Sequence, residues 1–179
     1  MTKQELWEIL DSWENFAFTI NEIGKNPEYF KLLIEIALHN NDPKSWRAAY
    51  MVDKIHDDSP DLLLPFLEEL ILKLQTEKNS SKKRHFLKLI SMNKIPQNHF
   101  SFLVDYCLNA LSSAKEPPAV RVHAMQILFN ISDKEPGLKP EILAVIEHEM
   151  EFHATPGIIS RGSKLAKKLN GQIQNKPPK

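Results

Sequence analysis

Apolar positions along the chain recur at intervals of three and four residues, which is the spacing of one face of a helix. Clear examples are FKLLIEIAL at 30–38, FSFLVDYCLNAL at 100–111 and AVRVHAMQILFNI at 119–131. No segment alternates apolar and polar residues over the length of a strand. The pattern predicts an all-α protein with one or two helices over 2–23, followed by eight more. The eight helices are expected near 27–39, 43–56, 60–77, 80–92, 97–111, 117–131, 139–152 and 156–169.

Prolines mark several of the predicted helix starts, because they follow residues that can cap a helix. The pairs are Asn26-Pro27, Asp42-Pro43, Ser59-Pro60 and Thr155-Pro156. A capping oxygen accepts a hydrogen bond from a free backbone N–H of the first turn. Proline has no backbone N–H, but at the first helical position that N–H would have no partner within the helix, so its loss costs nothing.

The eight helices fall into pairs, and the second helix of each pair carries an arginine near its start. These arginines are Arg47, Arg84, Arg121 and Arg161, at intervals of 37, 37 and 40 residues. A two-helix unit that repeats near this length is typical of an α-solenoid. Each pair buries its apolar face only when it stacks on a neighbouring pair.

Three segments carry a resemblance to a known repeat family. EPPAVRVHAMQILFNI (116–131) resembles the second helix of a HEAT repeat, with its proline turn, Val-Arg and spaced aliphatic residues. NDPKSWRAAYMVDKI (41–55) is similar, with Trp46 in the place of the valine. PDLLLPFLEELI (60–71) resembles the first helix of such a repeat, including the internal proline.

The resemblance to HEAT and armadillo-like repeats implies a short right-handed α-solenoid of about four helix pairs plus N-terminal helices. We expect N-terminal capping helices at 1–25, HEAT-like repeats at 26–170 and a flexible tail at 171–179.

The formal net charge is zero, but the charge is unevenly distributed. Residues 1–77 carry 7 Lys and Arg against 15 Asp and Glu, whereas residues 78–179 carry 16 against 8. The predicted second helices contain 12 basic residues and one acid, and the predicted first helices contain 3 basic residues and 11 acids. Because second helices line the concave face in this family, the resemblance implies a basic concave surface. Such a surface attracts an acidic partner, while the alternative is a solvated face whose charges complement helix dipoles.

We predict a non-enzymatic scaffold or adaptor that binds an acidic segment of another protein through this basic surface. The expected binding residues are Lys44, Arg47, Lys54, Lys82, Lys83, Lys88, Arg121, Arg161, Lys164 and Lys168. A purely structural subunit of a larger assembly is a further interpretation.

A nucleic-acid-binding protein related to the alkylpurine DNA glycosylases is the alternative prediction. Those HEAT-like enzymes use aromatic residues and an aspartate on such a surface. Trp46, Tyr50 and Asp53 supply the same residue types along one stripe of a helix. The competing interpretation places Trp46 in the core and Asp53 in solvent.

Other residues with reactive side chains are not expected to form a site. Cys107 is the single cysteine and lies on an apolar face, so it offers neither an internal disulfide nor an activated thiol. His148 and His153 are five residues apart, which separates them by about 140° on an ideal helix. We therefore predict no metal site there, and no cofactor or catalytic motif elsewhere.

The sequence also bears on location and partners. No apolar run approaches the roughly 18 residues of a membrane span, and the polar, acidic N-terminus is not a signal peptide. We expect a cytoplasmic protein without membrane contact, whose oligomeric state the sequence leaves open.

Overall fold

The computed structural model describes residues 1–175 of the chain. Over this range the chain forms ten α-helices and four short 3-10 segments, without any strand. The all-α class predicted from the periodicity is confirmed. The α-helices are α1 (Lys3–Ser12), α2 (Phe16–Gly24), α3 (Pro27–His39), α4 (Trp46–Asp58), α5 (Leu67–Lys73), α6 (Ser80–Met92), α7 (Phe100–Ser112), α8 (Pro118–Ser132), α9 (Lys139–Phe152) and α10 (Pro156–Gln174). The 3-10 segments are Pro43–Ser45, Pro60–Phe66, Gln97–His99 and Pro136–Leu138.

The chain divides into two compact units, Met1–Leu89 and Ile90–Lys179, and α6 runs across their boundary. In the first unit α3 packs against α4, while α1 packs against α3 and α2 packs against α4. The two N-terminal helices therefore stack on the first pair like a further pair. In the second unit α7 packs against α8, α9 packs against α10, and α8 packs against α10.

Three of the four predicted caps form hydrogen bonds. Asn26 Oδ1 accepts from the backbone N–H of Glu28 at 3.0 Å, and Asp42 Oδ1 accepts from that of Lys44 at 2.8 Å. Thr155 Oγ1 accepts from the backbone of Ile158 at 3.3 Å. Ser59 makes no such bond, and a 3-10 segment follows it instead. The sequence patterns therefore located the helix starts well, but not the 3-10 segments that follow Asp42 and Ser59.

The single helix predicted over 60–77 is wrong, because this segment is a 3-10 helix followed by the short α5. Pro65 lies inside the 3-10 segment. A proline in a helix interior removes an N–H donor and clashes with the carbonyl four residues earlier. The α-helix therefore begins only at Leu67, after the proline.

The C-terminal helix also differs from the prediction, since α10 continues to Gln174 and includes residues 171–174 of the expected flexible tail. Two hydrogen bonds tie its last turns to the first residue of α9 and to the residue that follows α8. Lys139 Nζ donates to Gln172 Oε1 at 2.7 Å, and Gln172 Nε2 donates to Asp133 Oδ1 at 3.0 Å. The remaining tail residues, 176–179, lie outside the described residues.

A glycine allows α9 and α10 to approach closely. Gly162 is buried, and a Cβ atom at this position would lie 2.6 Å from Met150 Sδ and 3.4 Å from Ile146 Cγ2. Any larger side chain would displace Met150, because a well-packed core does not accept added volume without strain. Close packing of these two helices positions the exposed face of α10 that is described below.

Candidate functional site on the second helices

Three basic residues of the predicted binding surface bond to backbone carbonyls at the ends of neighbouring helices. Two of them, Arg47 and Lys82, lie in the first unit. Arg47 Nη1 donates to the carbonyls of Leu10 at 3.0 Å and Asp11 at 2.7 Å, at the end of α1. Lys82 Nζ donates to the carbonyl of Asn40 at 3.1 Å, directly after α3. The carbonyls at a helix C-terminus have no partner within the helix and carry partial negative charge, so a cation there is stabilising.

Arg121 has the same role in the second unit. Its Nε donates to the carbonyl of Leu111 at 2.8 Å, in the last turn of α7. Its guanidinium also forms a short ion pair with Glu149 of α9. Arg121 therefore holds α7, α8 and α9 together.

Two of these predicted binding residues are buried, which leaves them almost no surface with which to contact a partner. Lys82 is 2% exposed and lies 3.2 Å from Glu77, and Arg121 is 5% exposed beside Glu149. Burial lowers the pKa of Lys82, although the charge of Glu77 opposes this shift. A count of basic residues cannot separate such buried ion pairs from surface charge, because both have the same sequence signature.

Two further predicted binding residues of the first unit, Lys44 and Lys54, each lie near an acid. Lys44 Nζ lies 2.5 Å from Asp11 Oδ1, and this hydrogen bond is the main reason that the pKa of Asp11 is lowered. Lys54 lies 3.9 Å from Asp57. Asp57 belongs to α4, which extends two residues beyond its predicted end and so includes two acids that the sequence count missed. Lys83 is half-buried on α6.

Asp53 is the centre of a buried polar network, not the solvated residue of one interpretation. It is 4% exposed, with His85 Nδ1 2.9 Å from its Oδ2 and Lys88 Nζ 2.6 Å from its Oδ1. Arg84 Nη2 lies 3.1 Å from His85 Nε2. Because arginine only donates, we assign Nε2 as the acceptor and place the imidazole proton on Nδ1, where it donates to Asp53.

This network lowers the pKa of Asp53. Burial alone would raise it, but the hydrogen bonds of His85 and Lys88 and the charge of Lys88 outweigh that effect. A carboxyl group whose pKa is depressed in the folded state stabilises the fold above its unfolded-state pKa. That stability is lost as the pH falls through the folded-state pKa.

The Asp53→Asn substitution should lower the free energy of unfolding at neutral pH by about 1–3 kcal/mol, because it breaks a buried, charge-assisted network. This difference from the wild type should shrink as the pH falls below the ordinary pKa of 3.8 towards the lower folded-state pKa, because the folded carboxyl group then takes up a proton. Urea unfolding at neutral and acidic pH measures the effect. The exposed Asp58→Asn is the control, and a difference that is independent of pH would contradict the account.

Trp46 and Tyr50 pack beneath the N-terminal helices, and both are half-buried. The Trp13 ring centroid lies 5.9 Å from each of them, and Phe16 stacks on Tyr50 at 5.3 Å. The Arg47 guanidinium lies 5.1 Å from the Trp13 ring, within cation–π range. The cluster therefore joins the two N-terminal helices to α4, and Trp46 is neither an open groove residue nor a fully buried core residue.

Sequence reasoning missed the other half of this cluster. Trp13 and Asn15 have φ values of 62° and 50°, so the α1–α2 link is a tight left-handed turn. This turn brings Trp13 and Phe16 to within 4.4 Å of each other. The available signal was Asn15 between two aromatic residues, since asparagine tolerates the left-handed region better than most residues.

Among residues 90–175, three of the six exposed basic residues lie together on α10. Lys164, Lys167 and Lys168 are exposed and line a shallow groove of about 700 Å³ with Gly171, Gln172 and Asn175. We call these three lysines the α10 lysine face. Lys168 Nζ lies 5.6 Å from the Phe129 ring of α8. Neither α8 nor α10 contains an acidic residue, so their own sequences do not balance this charge.

Arg161 lies beside the α10 lysine face but is directed towards α8. Its Nη1 donates to Gln126 Oε1 at 2.6 Å, and the residue is half-buried. Two of the ten predicted binding residues, Lys164 and Lys168, are exposed and form no ion pair with any described residue. Lys167, which was not among the predicted binding residues, joins them.

A larger cleft lies elsewhere in the second unit, between the α6–α7 link and the end of α8. It has a volume of about 820 Å³, and its lining includes Lys94, Pro96, Phe100, Asn130 and Lys134. Its lining mixes apolar and amide side chains with two lysines, and it brings no acid–base pair together. The sequence did not predict this cleft, because prolines and lysines such as those of the α6–α7 link are ordinary loop residues.

His148 and His153 do converge, so the predicted separation of their side chains is wrong. His148 Nδ1 lies 3.3 Å from Glu149 Oε1, and His153 Nδ1 lies 2.9 Å from Glu149 Oε2. The reason is that α9 ends at Phe152, and His153 leaves the helical conformation with φ −132° and ψ 39°. The ideal-helix angle therefore does not apply to it. Cys107, by contrast, is fully buried, and burial raises the pKa of its thiol.

Paired helices joined through basic side chains at helix ends define an α-helical repeat protein. The chain matches the family model described as the HEAT repeat domain over residues 4–169, and it belongs to this family. The match begins within α1, while the predicted domain boundary at residue 25 stays a prediction. No curated protein and no solved structure matches the chain significantly. Among the described helices, none combines the length and apolar character needed to cross a membrane.

Proposed function

We propose that the protein is a non-enzymatic HEAT-repeat scaffold that binds an acidic segment of another protein through the α10 lysine face. The observation that supports this proposal most strongly is the contrast between the basic residues. Arg47, Lys82 and Arg121 bind helix ends or buried acids. Lys164, Lys167 and Lys168 instead line an open groove.

The chemistry of the groove favours carboxylates of a protein segment. Lysine ammonium groups are mobile point charges that pair with carboxylates without a fixed orientation. Two helices without acids leave a local positive field, which raises the association rate of an oppositely charged segment. Asn175 adds an amide group at the same groove, and this group can donate hydrogen bonds to backbone carbonyls of an extended peptide.

The same surface is less suited to nucleic acid. Single-strand binding uses aromatic side chains on which bases stack, and Phe129, the ring that Lys168 approaches, is buried. The glycosylase-like alternative needs an accessible aspartate, but Asp53 is buried and paired with His85 and Lys88. The geometry therefore favours the protein-binding proposal over the nucleic-acid alternative.

A titration with a fluorescent polyglutamate peptide tests the proposal. Replacing Lys164, Lys167 and Lys168 together by glutamate should weaken binding at least about tenfold, because each reversal turns attraction into repulsion at the groove. The matched control replaces Lys25, Lys31 and Lys78 by glutamate, which changes the net charge equally on exposed residues elsewhere. This control should retain most of the wild-type affinity.

Equal weakening by both triple variants would contradict the proposal, because binding would then follow net charge alone. Tight binding of duplex DNA that depends on Lys164, Lys167 and Lys168 and exceeds peptide binding would favour the nucleic-acid alternative. Salt series should accompany both titrations, since phosphate binding falls steeply with ionic strength.

A further inference from the structure

We propose that His148, Glu149 and His153 form a binding site for a divalent transition-metal ion, with Zn²⁺ as the best-suited ion. Their nitrogen and carboxylate ligand atoms all lie within 4.8 Å of one another. Two imidazoles and one carboxylate are a common ligand set for zinc, which leaves the fourth position to water. The site lies at the end of α9, and the proposal is independent of the α10 lysine face.

The distances between the ligand atoms fit a metal ion. Zinc bonds of 2.0–2.1 Å place the ligands of a tetrahedral ion about 3.3 Å from one another. The observed separations are 3.3 Å from Glu149 Oε1 to His148 Nδ1 and 2.9 Å from Glu149 Oε2 to His153 Nδ1. All the ligand atoms lie within 4.8 Å of one another, so the exposed imidazoles would move closer by up to about 1.5 Å to reach the tetrahedral spacing.

Exposure divides the roles of the three side chains. The side chains of His148 and His153 are 57% and 43% exposed, so an ion can reach them from solvent and they can reorient around it. The Glu149 side chain is 2% exposed and is held by Arg121, so it provides a fixed oxygen ligand. Arg121 donates to Glu149 Oε2, while Oε1 faces His148. An outer partner that orients a carboxylate ligand in this way is typical of metal sites.

A bound ion would also connect two parts of the second unit. His148 lies on the last turns of α9, whereas His153 lies in the link to α10. Coordination by both would fix this link against α9 and, through Glu149 and Arg121, against α8. Ion binding to the folded chain would then raise its melting temperature.

Titration of the full chain with Zn²⁺, in competition with a chromophoric chelator, tests the proposal. The wild type should bind one ion per chain, and His148→Ala or His153→Ala should each weaken binding at least about tenfold. His39→Ala is the matched control, because His39 is also exposed and lies 2.8 Å from one carboxylate, that of Glu69. It should leave zinc affinity unchanged.

Melting curves give a second readout that does not depend on the chelator. Zn²⁺ should raise the melting temperature of the wild type and of His39→Ala, but not that of His148→Ala or His153→Ala. The proposal is overturned if the wild type binds no zinc at millimolar concentrations. It is equally overturned if both histidine variants bind zinc as tightly as the wild type does.

Discussion

The Arg121→Met substitution should lower the free energy of unfolding by about 3–5 kcal/mol, which is the usual cost of removing one partner of a buried ion pair. Arg121 is 5% exposed, and its partner Glu149 is 2% exposed. Methionine has a similar length but no charge, so Glu149 would remain as a buried carboxylate without its cation. The carbonyl of Leu111 would also lose its donor at the end of α7.

Chemical unfolding of matched variants separates this effect from a simple loss of packing. The double variant Arg121→Met with Glu149→Leu should recover most of the lost stability, because two apolar residues leave no buried charge. Lys164→Met on α10 should change stability by no more than about 0.5 kcal/mol, as is usual for exposed positions. An Arg121→Met variant as stable as Lys164→Met would show that the ion pair does not hold the second unit together.

The Lys82→Met substitution should have an effect of similar size in the first unit, about 3–5 kcal/mol. Lys82 is 2% exposed and contacts Glu77 at 3.2 Å and the carbonyl of Asn40 at 3.1 Å. Removing its ammonium group leaves a nearly buried carboxylate unpaired and the end of α3 without a donor. Both losses act on the folded state, so the midpoint of urea unfolding should fall.

Lys78→Met provides the control for Lys82, since Lys78 is exposed and lies only four residues away. Its effect should stay within about 0.5 kcal/mol. Replacing Glu77 by glutamine together with Lys82→Met should recover part of the stability, because no buried charge then remains. A Lys82→Met variant with wild-type stability would show that the Lys82–Glu77 ion pair does not stabilise the first unit.

The helix boundaries were predictable because their causes are local. Both the apolar periodicity and the capping residue of a helix lie within a few residues of its start. The structure confirms the helix starts that follow Asn26, Asp42 and Thr155. Asn79 caps α6 in the same way, accepting from the backbone of Ser81 at 3.0 Å, but it lacks the following proline that drew attention to the others. The family resemblance also depended on such local patterns, and the match over residues 4–169 confirms it.

The roles of the charged residues were not predictable, because they depend on which residues face each other across helices. Lys82 and Lys83 are adjacent in sequence, yet one is buried beside Glu77 and the other is half-buried on the helix surface. Arg84 fits the spacing of the repeated arginines, but in the structure it is Lys82 that binds the end of a preceding helix. Only the three-dimensional packing decides between such neighbours.

His153 shows the same limit in another form. Its angular separation from His148 was calculated for an ideal helix, but the helix ends one residue before His153. The geometry of a helix end depends on the turn that follows, which periodicity does not describe. The residue types of the proposed metal site could therefore be read from the sequence, but their convergence in space could not.

The most direct test of the central claim is amine footprinting of the lysines, with and without the acidic peptide bound. We expect the reactivity of Lys164, Lys167 and Lys168 to fall in the complex, because the peptide carboxylates would cover the α10 lysine face. Lys31 and Lys78, which are exposed in the first unit, should react as they do in the free protein. Unchanged reactivity on α10, with protection confined to lysines of the first unit, would contradict the assignment of this surface as the partner site.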